Sequence, residues 1–199
     1  MADHAALRSQ NDAAYARGVH YLAHADGWEE AHSANGVTTS VLKADQVVRI
    51  QGHVNKSPEF VLNFLRGHLA TLRQKYIPSA VSTEILHRFE EDKSVIIRQE
   101  NNHPAFGPNT VFEYAAPRVQ ADGAIDLSVN SPDLPEYPRG HSWLGFQIGR
   151  ISPHDGGSNL TIVIHFETTL AVNDEQRAAI AAQLGEFYGH AANEVNSAA

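Results

Sequence analysis

The chain has 199 residues, of which 42% are hydrophobic, a size and composition that suit one compact domain burying roughly 70% of the surface its unfolded form exposes. Fifteen basic against 23 acidic side chains give a formal net charge of −8, which argues against broad nucleic-acid binding or a polybasic membrane surface. Cysteine is absent, so disulfides, thiolate nucleophiles and Cys-ligated zinc drop out, and the fold must stand on packing alone.

Residues 3–24 carry Leu7, Ala14, Tyr15, Val19 and Leu22 as a loose helical stripe and read as a first helix. Residues 28–34 and 37–42 flank Asn35-Gly36, the dipeptide that most readily supplies two positive φ angles to a tight hairpin, and 47–53 makes a third strand. Ser57-Pro58-Glu59 is a strong helix start: a capping hydroxyl, a proline with its φ already set, and an acid near the positive end of the helix dipole. Phe60, Val61, Phe64, Leu65, Leu69 and Leu72 follow on one face, so one or two helices fill 57 to about 76, and Pro78 ends the segment. The basic residues along this stretch, Lys43, Arg49, Lys56, Arg66, Arg73 and Lys75, read as solvated positions.

Residues 81–89 and 94–100 are the fourth and fifth strands, followed by an irregular loop at 101–108 in which Phe106 is a candidate flap residue. Segments 111–117 and 124–129 pair across Asp122-Gly123, and 141–151 and 160–170 pair across Asp155-Gly156-Gly157, which indicates an antiparallel sheet. The last helix runs from Asn173 to about Val195, with Asn173 and Gln176 as a capping-box variant and Ile180, Leu184, Phe187, Tyr188, Ala191 and Val195 as its apolar stripe. Gly185 and Gly189 would let this helix approach closely, either for tight packing or to clear a ligand. The order predicts an α+β domain with its helices to one side of a curved antiparallel sheet of about nine strands. Such a sheet cannot easily fill its concavity with one helix, so a cavity is expected.

Several fragments in this order resemble the START family, the steroidogenic-acute-regulatory-related lipid-transfer domains of the Bet v 1-like, helix-grip superfamily. They are Trp28 before the first hairpin, Phe106-Gly107-Pro108 leading into a strand, Ser128-Val129 followed by Pro132 and Pro135, Arg139-Gly140, and Leu160-Thr161 opening the last strand. The resemblance covers about 20–197 of a single domain spanning 1–199. Where members often carry Arg-Asp after the Gly-Pro, this chain has Asn109-Thr110; where they often carry tryptophan it has Tyr76; and the acid near the end of the last strand is Glu167.

The resemblance implies a helix-grip fold: the sheet wrapped around the C-terminal helix, an N-terminal helix, and two short helices after the third strand. It implies one sterol, phospholipid or related lipid held in an internal cavity gated by the C-terminal helix and the 101–108 loop. Taking the family's inward register, Val111, Glu113 and Ala115 on one strand and Ile162, Ile164 and Phe166 on another face the cavity, joined by Phe146, Leu184, Phe187 and Tyr188. Arg98, in the otherwise apolar run Val95-Ile96-Ile97-Arg98, and Asp126, between Ile125 and Leu127, join Glu113 as candidate readers of a polar head group. A cytoplasmic monomer is expected, with transient membrane contact, no nucleic-acid partner and no cofactor.

No enzymatic motif accompanies these residues: there is no G-x-S-x-G elbow, no H-E-x-x-H and no dinucleotide fingerprint. Twelve histidines include His20 and His24 four apart on the predicted first helix, but no third ligand stands at a telling distance. The N-terminus lacks a basic segment followed by an apolar run, so no secretory signal is expected. The alternatives are a polyketide aromatase/cyclase-like enzyme on the same scaffold, with Arg98, Glu113 and Asp126 as acid/base groups, and a ligand sensor that reports occupancy to a partner.

Overall fold

The computed structural model describes residues 3–103 and 106–199. Its elements are α1 (His4–Gly18), a 3₁₀ turn (Val19–Leu22), β1 (Glu29–Ala34), β2 (Val37–Leu42), β3 (Val47–Val54), α2 (Pro58–Tyr76), β4 (Ala80–Arg88), β5 (Val95–His103), β6 (Gly107–Val119), β7 (Ile125–Asn130), β8 (Ser142–His154), β9 (Gly157–Thr168) and α3 (Asp174–Ser197). The nine strands form one antiparallel sheet in the order β1-β2-β3-β9-β8-β7-β6-β5-β4. Strand β9 thus returns to lie beside β3, and the two halves of the chain join along eight residue pairs from Val47↔His165 to Val54↔Ser158.

Local chemistry accounts for most of the boundaries. Asn35 and Gly36 hold φ of 53° and 76°, the two positive values that the β1–β2 turn demands. Ser57 caps α2 by accepting from the Phe60 amide at 3.3 Å, with Pro58 in the first turn. Ile77, held extended before Pro78, ends it. At α3 the capping box is reciprocal: Asn173 accepts from the Gln176 amide at 2.8 Å, and the Gln176 side chain accepts from the Asn173 amide at 2.9 Å.

Three expectations are corrected. The segment after β3 is one helix of 19 residues rather than two short ones, because its apolar face runs unbroken and Gly67 sits midway with open space around it. The 101–108 segment is not an irregular loop. Asn101↔Asn109, Asn102↔Pro108 and His103↔Gly107 extend the β5–β6 ladder into it, and Phe106 stands just before β6; Pro104 and Ala105 lie outside the described residues. Pro108 is tolerated as the second residue of β6.

The third correction concerns layers. Helices α2 and α3 fill the concave face of the sheet, but α1 lies on the opposite, convex face. There Ala14 packs with Leu42, Val47, Phe146, Ile148 and Val163, and Leu7 packs with Phe89, Ile96, Tyr114 and Ala116. Gly18 touches the sheet so closely that an added Cβ would come within 2.6 Å of the Phe146 ring. Strands covered on both sides read as continuous apolar runs rather than alternating ones, and Val95-Ile96-Ile97 is such a run, its members pointing in, out and in.

A candidate lipid cavity

The concave core is not filled. Between the inner face of the sheet and helices α2 and α3 lie two adjoining chambers, an inner one of about 100 Å³ and an outer one of about 260 Å³, which share Arg73, Glu113, Gln147, Phe187 and Tyr188 in their walls. The inner chamber is walled mainly by aliphatic side chains, among them Leu65, Ile85, Ile97, Val129, Ile162 and Ala191. The outer one carries Val48, Val111, Leu144, Phe166, Ile180 and Leu184, and runs to a mouth beside Phe106, His141 and Val172.

The residues at the junction are placed by periodicity. On α2, Val61, Leu65, Leu69 and Arg73 follow one another at four-residue steps, so Arg73 falls on the apolar face that the helix turns toward the sheet. Its Nη2 donates to Glu113 Oε2 at 3.0 Å, and both side chains are buried, 10% and 8% exposed. A charge so far from water must be paired, and each is the other's partner. Tyr188 on α3 stands beside the pair, half-buried between the two chambers. Burial pushes its phenol up to about 12, Glu113 adding to the shift while Arg73 and a hydrogen bond from Gln147 partly offset it. The hydroxyl is therefore a neutral hydrogen-bonding group at any physiological pH. Two donors, Arg73 Nη1 at the junction and Gln99 Nε2 in the wall of the outer chamber, are buried and have no acceptor among the described residues.

Of the residues predicted from sequence, Val111, Glu113, Ile162, Phe166, Leu184, Phe187 and Tyr188 stand in the chamber walls, and Phe106 lines the mouth, stacked on His103 at 4.7 Å. Ile164 shares their face but is packed without exposure into the core cluster containing Val48 and Leu144. Arg98, Asp126 and Phe146 are on the other side of the sheet. Arg98 is 41% exposed and paired with Glu100; the apolar run before it reflects cover on both faces, not an inward-pointing charge. Asp126 is buried beneath α1, where it accepts two bonds from Arg150 at 2.7 Å each and one from Tyr15 at 2.7 Å. Phe146 is turned outward by a bulge: the β8–β9 register shifts between Leu144 and Phe146, so Leu144 faces in and Phe146 faces α1. Arg73, Gln99 and Gln147 were missed.

Helix α3 closes the cavity and is held at two places. Gly185 and Gly189 rest on the β1–β2 hairpin, where added Cβ atoms would lie 2.3 Å from Thr39 Oγ1 and 2.7 Å from Asn35 Cβ, so these glycines serve close packing rather than ligand clearance. Near its C-terminus, Glu194 accepts from Lys75 Nζ at 2.6 Å and from the Tyr76 hydroxyl, while His190 stacks on Tyr76 with ring centres 4.4 Å apart. This clasp ties α3 to the end of α2.

The comparisons with known proteins agree with this geometry. No protein-family model matches the sequence, and no curated protein is significantly similar to it. Solved structures do match. Human StAR-related lipid transfer protein 5 superposes with a TM-score of 0.75 at 16% identity, covering 97% of this chain and 98% of its own. A STAR-related lipid transfer protein from Xanthomonas axonopodis gives 0.67 at 16% identity, over 86% and 100%. The human StarD13 lipid transfer and protein localization domain gives 0.66 at 13% identity, over 100% of both chains.

The chain has the START helix-grip fold.

Within that START fold, other polar clusters do not form a second site. His4 Nε2 lies 3.3 Å from Ser94 Oγ, and His4 Nδ1 lies 3.0 Å from Glu91, an arrangement with the outline of a hydrolytic triad. Ser94, however, has no exposed surface, and its hydroxyl donates to Asp92 at 2.5 Å. The cluster fixes the start of α1 to the β4–β5 turn. His20 and His24 do not share a helical face, since α1 ends at Gly18, and among the described residues no three potential ligands gather to hold a metal. No helix of the described residues is long and apolar enough to cross a membrane.

Proposed function

We propose that the protein binds one hydrophobic molecule of the lipid class inside this cavity and carries it between membranes. The observation that supports the reading is a pair of buried donors without acceptors, Arg73 Nη1 at the chamber junction and Gln99 Nε2 in the outer wall, beside an inner chamber walled mainly by aliphatic side chains. A buried donor left unpaired costs about 1–3 kcal/mol. An oxygen on a ligand removes that penalty. Because Arg73 is already neutralised by Glu113, the junction favours an uncharged acceptor, such as a hydroxyl or carbonyl, over a second carboxylate.

The apolar remainder of the ligand gains roughly 25 cal/mol for each Å² removed from water. Helix α3 and the β5–β6 hairpin tip are the natural gate, since both border the mouth. Phe166 at the mouth and Leu170 in the segment leading to α3 are 38% and 36% exposed, large apolar surfaces suited to transient membrane contact. Cyclase chemistry loses support. Of its three candidate acid/base groups only Glu113 stands in a chamber wall, and it is held by Arg73.

Native mass spectrometry and organic extraction of the purified protein test the proposal. One bound apolar molecule per chain, and movement of that molecule between vesicles, are the expected results. A protein that is empty after expression and takes up no lipid from vesicles overturns it.

A further inference from the structure

The inner chamber has an unusual charge for a greasy end of a cavity. In a protein of net charge −8, its wall includes three cations, Arg66, Arg73 and Lys93, and one carboxylate, Glu113; a fourth bordering residue, Arg150, turns its guanidinium to Asp126 on the convex side at 2.7 Å. Two of the three are already matched, Arg73 by Glu113 at 3.0 Å and Lys93 by Glu90 at 3.4 Å at the surface. Arg66 is not. Among the described residues no carboxylate reaches its guanidinium, and its Nε is buried without a hydrogen-bond partner. Facing the same chamber from β4, Thr83 Oγ1 is also buried and unbonded. Arg66 Nε and Thr83 Oγ1, both buried and unbonded on the wall of one mainly apolar chamber, together suit an oxygen acceptor.

We infer that the far end of the inner chamber is a second polar station, in which Arg66 and Thr83, with Lys93 at the surface, take the carboxylate of an amphipathic ligand. The inference rests on the container reading and adds the class of ligand: an apolar body carrying an ionised acid at its inner end. A carboxylate fits the planar fork of a guanidinium, and the small volume disfavours bulkier anionic heads. Arg66 and Arg73 are seven residues apart on α2, about 10 Å along the axis at 1.5 Å per residue. The two stations therefore differ in what they read. Arg73, neutralised by Glu113, takes an uncharged oxygen midway along the ligand, and Arg66 takes its charge.

Calorimetric titration of dodecanoate against dodecanol at pH ~8, where the acid is fully ionised, tests this directly. The acid is expected to bind about tenfold tighter, the worth of one charge-assisted hydrogen bond. Arg66→Met should erase that preference by lowering dodecanoate affinity about tenfold, and a circular-dichroism spectrum like that of the parent shows that the variant is folded. Lys43→Met, which removes a surface cation paired with Glu29, should keep the preference. Equal affinities in the parent protein, or a preference that survives Arg66→Met, overturns the inference. If neither compound binds but another lipid copurifies with the protein, the inference falls and the container reading stands. If no apolar molecule binds at all, both fall.

Discussion

Arg73 and Glu113 show why a residue's type and position in sequence do not reveal its environment. From the sequence Arg73 belongs to a scattered basic run, yet its place four residues after Leu69 puts it on the apolar stripe of α2. Its partner lies forty positions away on β6. Removing one member of such a pair leaves a buried charge uncompensated, so Arg73→Met should destabilise the protein by about 3–5 kcal/mol. The double variant Arg73→Met, Glu113→Leu should recover most of that loss, and urea denaturation measures both. Glu113 was legible because strand alternation gives its face once the register is known. Arg98 and Asp126 were misread for the converse reason. A charge set among apolar neighbours points into a cavity only if the other face of the sheet is wet, and here α1 covers much of that face.

At the scale of elements, the sequence marked turns and caps well, because they depend on side chains a few residues apart. The Asn35-Gly36 turn, the Ser57 cap and the Asn173–Gln176 box are all local. What it could not show was which sheet face each helix covers, since that depends on contacts distant along the chain. The Glu194 clasp is one such contact. Its carboxyl is held below the usual range, first by the hydrogen bond from Lys75 and then by that from Tyr76. For a carboxylate with a depressed folded value, the stabilisation is present above its unfolded pKa of ~4.3 and is lost as pH falls through the folded value. Ligand release should therefore be nearly flat on acidification as far as the unfolded pKa of ~4.3 and quicken only below it. Glu194→Gln should release ligand several-fold faster already at neutral pH, and without that acid step. Stopped-flow release of a fluorescent lipid reads both. A release rate indifferent to this substitution would mean that α3 is not the gate.

For the whole molecule, the proposed delivery would require the mouth to meet a bilayer, and the exposed Phe166 and Leu170 are the surfaces that would enter it. Phe166 also lines the outer chamber, whereas Leu170 does not, so Leu170 separates the two steps. Burying a leucine side chain yields about 1.5–3 kcal/mol, so Leu170→Asp should slow vesicle-to-vesicle transfer by about tenfold or more, while the amount of lipid retained by the protein hardly changes. Equal losses of retention and transfer would place Leu170 in the binding step instead.

Helix α1 on the convex face has a further consequence. The outer clusters around Ala14, Phe146 and Ile148 and around Leu7, Ile96 and Tyr114 are complete without cargo, so this half of the sheet is braced like a hull, whatever the hold contains. Were the proposed cargo to leave, only the inboard helices would lose contacts, and the outer packing would hold the protein together.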